Sequence, residues 1–179
     1  SLNISAMERY FFEQLRPYPQ FSGIYYGAPN GEFVIVLRDD SHSEGGFRTK
    51  IISIVDQQRS VQLQWRDNDF SPVRKTLDPA DEYDPRVRPW YKKAMQHNDL
   101  VWTEPYIFFT SQQPGITISS PVQHPDKLKQ DIDVVIGVDI QISQISTFLS
   151  GLKIGNNGSA FIIDTLGQVL AHPQQEKIK

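Results

Sequence analysis

The stretch SGIYYGAPNGEFVIVLRDD, residues 22–40, decides the fold. Ile24 to Tyr26 and Phe33 to Leu37 are β-forming runs, and the Pro29-Asn30-Gly31 step between them favours the positive φ of a tight turn, so the segment reads as a β-hairpin. Downstream, past the loop SHSEGG at 41–46, Lys50 to Val55 and Val61 to Trp65 flank the polar turn DQQRS and give two more strands. Three further strands are expected at Val101 to Thr110, Gly115 to Val122 and Val134 to Ile142. The last of these sets Val135, Gly137, Asp139 and Gln141 on one face and Ile136, Val138, Ile140 and Ile142 on the other, so Asp139 points away from the more apolar side. Between Arg66 and Arg88 the polar composition with Pro72, Pro79 and Pro85 predicts an irregular loop lying across a sheet.

Helices frame these strands. Ile4, Met7, Tyr10, Phe11 and Leu15 fall at spacings of three and four, one apolar face of an amphipathic helix that Pro17 and Pro19 end. A second helix is expected from Pro89 to Gln96, because proline suits the first helical position and holds Arg88 before it in an extended conformation. A third spans Ser143 to Leu152, and GNNGSAFIIDTLGQVLAHP, residues 155–173, reads as a closing hairpin of Ala160 to Asp164 and Gln168 to Ala171. About seven strands in sequential hairpins with flanking helices make the fold class α+β. This hairpin echoes the one at 22–40, as if each opened a copy of the same unit.

The chain has 179 residues, 39% of them hydrophobic, enough for one domain and part of a second. Eighteen basic residues against twenty-one acidic ones give a net charge of -3, which offers no broad attraction for nucleic acid or an anionic membrane. Without any cysteine there are no disulfides, thiolate metal sites or cysteine nucleophiles. No stretch approaches the ~20 apolar residues of a membrane span, and the first residues do not form a signal peptide. The polar end EKIK follows directly on a new β segment, so the chain is read as cut from a longer protein whose membrane anchors lie outside it.

The chemistry concentrates in EYDPRVRPWYKKA, residues 82–94, where Tyr83, Arg86, Arg88, Trp90 and Tyr91 crowd beside two prolines. A guanidinium grips a carboxylate through two parallel hydrogen bonds, indole N–H and phenol O–H add neutral donors, and the helix start at Pro89 adds the positive end of its dipole. Two alternatives stand beside this anion site: Arg88 pairing with Asp84 or Glu82, and Trp90 and Tyr91 serving as core. His42 near Asp39 and Asp40, and His124 near Asp126, lack the further ligands a metal site needs, so no metal or cofactor is expected. Asn3-Ile4-Ser5 and Asn157-Gly158-Ser159 match a glycosylation sequon that chance also supplies, and no phosphate loop, zinc-protease motif or GxSxG elbow occurs. No nucleophile and base sit at a spacing that suggests an enzyme.

The order NGEF turn, YDPRVRPWY, VWTEPYIFF, ITISSPV, VVIGVDIQISQISTFLSGLKIG and NGSAFIIDTLGQVLAHP resembles the double Cache sensor domains of bacterial chemoreceptors, sensor histidine kinases and membrane-bound cyclases. The resemblance covers nearly the whole chain. It implies a PAS-like antiparallel sheet flanked by helices: an N-terminal helix at 1–20, a membrane-distal ligand-binding module at 21–153, and the first hairpin of a membrane-proximal module at 154–179. It implies an extracytoplasmic sensor that binds a small molecule and signals to a cytoplasmic output, with no catalysis of its own. Members that bind amino acids are similar in a set this sequence matches at Tyr83, Arg88, Trp90, Tyr91, Tyr106 and Asp139. Chemically, Arg88 with Trp90 and tyrosine donors would take the carboxylate of a zwitterion, and Asp139 with Tyr106 its ammonium. The competing expectations are another small carboxylate or amine, or a dimerisation module with no ligand. A weak parallel homodimer is expected along Ile4, Met7, Phe11 and Leu15, unless that stripe packs on the sheet.

Overall fold

The computed structural model describes residues 3–39, 46–123, 132–164 and 166–174. In chain order these form α1 (Ile4–Leu15), β1 (Gly23–Gly27), β2 (Phe33–Arg38), β3 (Phe47–Val55), β4 (Gln58–Arg66), β5 (Pro72–Leu77), a 3₁₀ turn at Pro85–Val87, α2 (Pro89–His97), β6 (Val101–Trp102), β7 (Tyr106–Ile107), β8 (Pro114–Gln123), β9 (Ile132–Gln141), α3 (Ile142–Ser150), β10 (Ile162–Ile163) and β11 (Val169–Ala171). The main sheet runs β5-β4-β3-β2-β1-β9-β8-β6, with β7 also on β8. Every described pairing in it is antiparallel, and the class is α+β as expected.

The hairpin of β1 and β2 lies at the centre of this order, where Gly23 pairs with both Leu37 and Asp139. Period-two alternation then divides the core. Ile24, Tyr26, Val34 and Val36 face Phe11, Phe12 and Leu15 of α1, and Ile136 and Val138 pack on the same side. Tyr25, Phe33, Ile35, Leu37 and Val135 face the other way, with Trp90, Tyr91 and Ala94 of α2. A buried Glu8–Arg66 ion pair, 3.2 Å, ties α1 to β4.

Three expectations need correction. The segment after Arg66 is not loop throughout: β5 extends the sheet against β4, with Pro72 at its first residue and the Arg74 guanidinium 4.4 Å from the Trp65 ring centre. Side chains on both faces of β5 meet solvent, so PVRKTL carries no alternating apolar signal, and proline is tolerated because at the sheet edge no outer neighbour needs its N–H. The single strand expected over Val101 to Thr110 is broken into β6 and β7 at Thr103-Glu104-Pro105. On α1, Tyr10 is 61% exposed while Phe12 is fully buried. The stripe of Ile4, Met7, Phe11 and Leu15 packs on the sheet, the alternative set beside a dimer, with Ile4 and Met7 only partly buried. The loop residues His42, His124 and Asp126 lie outside the described residues.

Candidate functional site

The nine-residue α2 is only about 13 Å long and covers one end of its sheet face, where Ser119 Oγ donates to the Trp90 carbonyl, 2.9 Å. The remainder is roofed by residues 106–111, which leaves a narrow cleft between roof and sheet that opens to solvent.

Arg88 enters from one wall. Pro89 follows it at the first position of α2, and its own backbone is extended, φ -78° and ψ 149°, as the proline requires. One guanidinium nitrogen donates to the Ile107 carbonyl, 3.2 Å, and the group is 5.8–5.9 Å from the ring centres of Tyr83, Tyr106 and Phe109. Its other donors have no partner among the described residues. Asp84 pairs instead with Arg86, 2.8 Å, which removes the expected alternative of an Arg88–Asp84 bridge.

Tyr83 is held by a charge cluster behind it, with Lys50 buried and Arg59 at the surface. Lys50 Nζ donates to Asp81, 2.6 Å, and sits 4.6 Å from the Tyr83 ring centre, while Arg59 donates to Asp81 and to the Tyr83 carbonyl, 2.9 Å. Burial holds the Lys50 ammonium below its ordinary pKa. At Asp81 burial acts to raise the pKa, but hydrogen bonds from Lys50, the Tyr83 amide and Arg59 prevail and hold it low. Trp90 Nε1 points at the Tyr83 hydroxyl, 3.4 Å.

Asp139 forms the opposite wall. Its Oδ1 accepts from Tyr25 O–H and from Thr117 Oγ1, both 2.5 Å, and Tyr106 O–H lies 2.7 Å from Thr117 Oγ1. Oδ2 has no partner among the described residues. Burial pushes the Asp139 carboxyl up to about 7, against the pull of these hydrogen bonds and of Arg88. Burial likewise holds Tyr25, Tyr83 and Tyr106 well above the ordinary phenol value, so each enters the cleft as a neutral hydroxyl. Arg88 and Asp139 form no ion pair, and they are the only charged side chains among the described residues that line the cleft.

Two glycines make room for this arrangement. A Cβ on Gly137 would stand 2.3 Å from the Tyr25 ring, which lies across that strand to reach Asp139, and a Cβ on Gly27 would meet Pro85 at 2.8 Å and Trp90 at 2.9 Å.

Residues 34–147, more than half the chain, match the family model described as methyl-accepting chemotaxis protein-like, first PDC sensor domain. The chain belongs to this sensor-domain family. It is 36% identical over 100 residues to methyl-accepting chemotaxis protein PscA of Pseudomonas syringae pv. tomato, covering 56% of this chain and 15% of that protein. With McpG of Pseudomonas putida it shares 34% identity over 119 residues, 66% of this chain and 18% of that protein. It therefore spans less than a fifth of either relative. Among solved structures it is similar in fold to the ligand-binding domain of the Pseudomonas aeruginosa PAO1 amino acid chemoreceptor PctB in complex with L-Gln, with TM-score 0.56 and 20% identity over 97% of this chain and 54% of that one.

Of the residues singled out in the sequence, the sensor domain brings Tyr83, Arg88, Trp90, Tyr106 and Asp139 to one cleft. Tyr91 is not in its lining: one helical position past Trp90, it is buried between α2 and the sheet, with Arg86 and Asp84 as its charged neighbours. Sequence reasoning missed Tyr25 and Thr117, the two donors to Asp139. A signal for Tyr25 exists in Gly23-Ile24-Tyr25-Tyr26-Gly27, where period two sets a lone phenol between two bare positions on one face. Thr117 is found only through register, as the partner of Asp139 across β8 and β9.

Proposed function

We propose that the cleft binds a small zwitterion, an α-amino acid or close analogue, without transforming it, and that occupancy is reported to a cytoplasmic output of a membrane-anchored receptor. The observation that carries this is one cleft holding a cation and an anion that do not pair with each other, each with unused hydrogen-bonding capacity. A carboxylate beside Arg88 would gain a two-point grip, with the Trp90 and Tyr83 donors at the same end. An ammonium beside Asp139 would meet the free Oδ2 and the ring and hydroxyl of Tyr106. A ligand bearing both charges satisfies both walls, whereas a plain amine leaves the Arg88 guanidinium without a counter-charge and a plain carboxylate leaves Asp139 without a cation to ionise against. The L-Gln held by the PctB domain supports the same ligand class. Because Arg88 also holds the Ile107 carbonyl, a ligand on Arg88 would act on the roof of the cleft, and differential contacts there would bias the conformation passed toward the membrane.

Residues 154–179 are read as the opening of a second module, with 1–20 as the N-terminal helix and 21–153 as the distal module. The hairpin of β10 and β11 forms a sheet of its own, and Phe161, Ile162, Ile163 and Leu166 are exposed on it, which supports reading it as a unit distinct from the main sheet. The likeness to chemoreceptor sensor domains supports the extracytoplasmic face of the bacterial inner membrane as its location.

The test is calorimetric titration with the common amino acids, their amine and carboxylate analogues as controls. Arg88→Ala, folded by circular dichroism, is expected to lose about 2–5 kcal/mol of amino-acid binding, and Arg88→Lys to recover part of it. Undiminished affinity in folded Arg88→Ala protein removes the carboxylate site and the zwitterion with it.

A further inference from the structure

If Arg88 and Asp139 answer the two charges of an amino acid, the rest of the cleft meets its side chain. That remainder is organised by register. Leu37 of β2 pairs with Gly23 of β1, which pairs with Asp139 of β9, so one row across three strands sets an apolar side chain, a bare position and the carboxylate side by side. Ile35 stands two residues before Leu37 on the same face and lines the same cleft. The bare position is not forced by packing. A Cβ on Gly23 would sit 3.4 Å from Ile35 Cδ1 and 3.5 Å from Leu37 Cβ, ordinary contact distances, so the glycine adds depth that the fold itself does not need.

Polar atoms border this apolar floor. Ser111 lines the cleft from the roof, and its buried Oγ has no hydrogen-bond partner among the described residues. Gln141 lines it from the sheet, two residues beyond Asp139 on the same face. A buried hydroxyl without a partner is unfavourable until one arrives, and a bound group can be that partner. A third charge would find no counter-charge among the described lining residues and would be desolvated without compensation.

We propose that Leu37, Gly23 and Ser111, with Gln141 at the edge, form a side-chain subsite that selects amino acids with uncharged side chains ending in an amide or hydroxyl. Gly23 sets its depth, and Ser111 Oγ hydrogen-bonds the polar end. This selectivity rests on the zwitterion site described above.

Calorimetric titration of the wild type, Gly23→Ala and Ser111→Ala with L-glutamine, L-threonine, L-leucine, L-arginine, L-glutamate and L-alanine separates the possibilities, each variant first checked for native circular dichroism. In the wild type, glutamine or threonine is expected to bind at least tenfold more tightly than arginine and glutamate. Gly23→Ala should weaken glutamine at least tenfold while alanine stays within about threefold. Ser111→Ala should weaken the amide and hydroxyl ligands several-fold and leave leucine unchanged. Arginine or glutamate binding as tightly as glutamine, or equal losses for all ligands in either variant, overturns the subsite and leaves the zwitterion site standing. No binding by any of the six, alanine included, overturns both.

Discussion

On the α1 face of the sheet, Ile24, Tyr26, Val34 and Val36 meet Phe11, Phe12 and Leu15 in an apolar layer. On the α2 face, alternate residues of the same strands meet Trp90 and Tyr91 at one end and the cleft at the other, where Tyr25, Thr117 and Asp139 bond to one another. What differs is the cover. α1 has twelve residues and lays a continuous apolar stripe on the sheet, whereas α2 has nine and stops short. Polar groups survive beneath the uncovered part because Tyr25 and Thr117 donate to Asp139 and Tyr106 bonds with Thr117. One sheet thus carries an apolar layer on one side and the proposed recognition site on the other, and the two should fail separately.

The largest effect is expected from Phe12→Ala. The Phe12 ring stacks on Phe70 at 4.4 Å and meets Phe47 edge-on at 4.9 Å. Its removal opens a cavity in the apolar layer and should cost about 3–5 kcal/mol in urea unfolding. Ligand affinity of the fraction that remains folded should be unchanged, since no atom of Phe12 reaches the cleft. A parallel loss of affinity would mean that the two faces are coupled through the sheet.

Asp139 tests the other face by pH. Its carboxyl stands at about 7 in the folded domain, raised by burial. An unfolded aspartate titrates near about 3.9. Between those values the folded state holds the extra proton, so this group makes the empty domain progressively less stable as pH rises from about 4 to about 7, and adds no further change above that. Binding has the opposite slope. An ammonium needs the carboxylate, so amino-acid affinity should climb with pH by at most about tenfold per unit and level off above about 7, with a proton released on binding in the lower range. Titration from pH 5.5 to 8 in two buffers of different ionisation enthalpy reads both quantities. Asp139→Asn should abolish the slope, and a flat profile in the wild type would remove Asp139 from the ammonium site.

How much of this was legible in the sequence follows the range of the forces involved. The central hairpin, the alternation along β9 and the Pro89 helix start rest on neighbours in sequence and were readable there. β5 was not, because an edge strand takes its identity from the strand beside it. Choosing Phe12 rather than Tyr10 for the buried side of α1 needed the sheet that the helix meets. In the cleft, Arg88 and Trp90 come from one local segment and stood out together. Tyr25, Thr117 and Gly23 lie on other strands, and only the pairing of β1 and β8 with β9 shows that they flank Asp139. Tyr91 followed Trp90 in the motif, yet one step along a helix is a turn of about 100°, enough to take it out of the cleft.

The smallest expected effect sharpens the contrast within that motif. Arg86 and Arg88 are two residues apart and were indistinguishable by composition. Arg86 is the last turn's basic residue in the 3₁₀ segment, bonded to Asp84 two positions back, with 47% of its side chain exposed. Exposed ion pairs of this kind contribute about 0–1 kcal/mol, since both partners remain well solvated when the pair is broken. Arg86→Ala should therefore change unfolding stability by less than about 1 kcal/mol and leave amino-acid affinity within about threefold, while Arg88→Ala abolishes most binding. The pair must be measured together, because both substitutions lower the local positive charge equally. If long-range attraction of an anionic group were what mattered, the two variants would weaken binding alike and raised salt would mimic both. A large loss confined to Arg88→Ala, insensitive to salt, is the signature of a contact made inside the cleft.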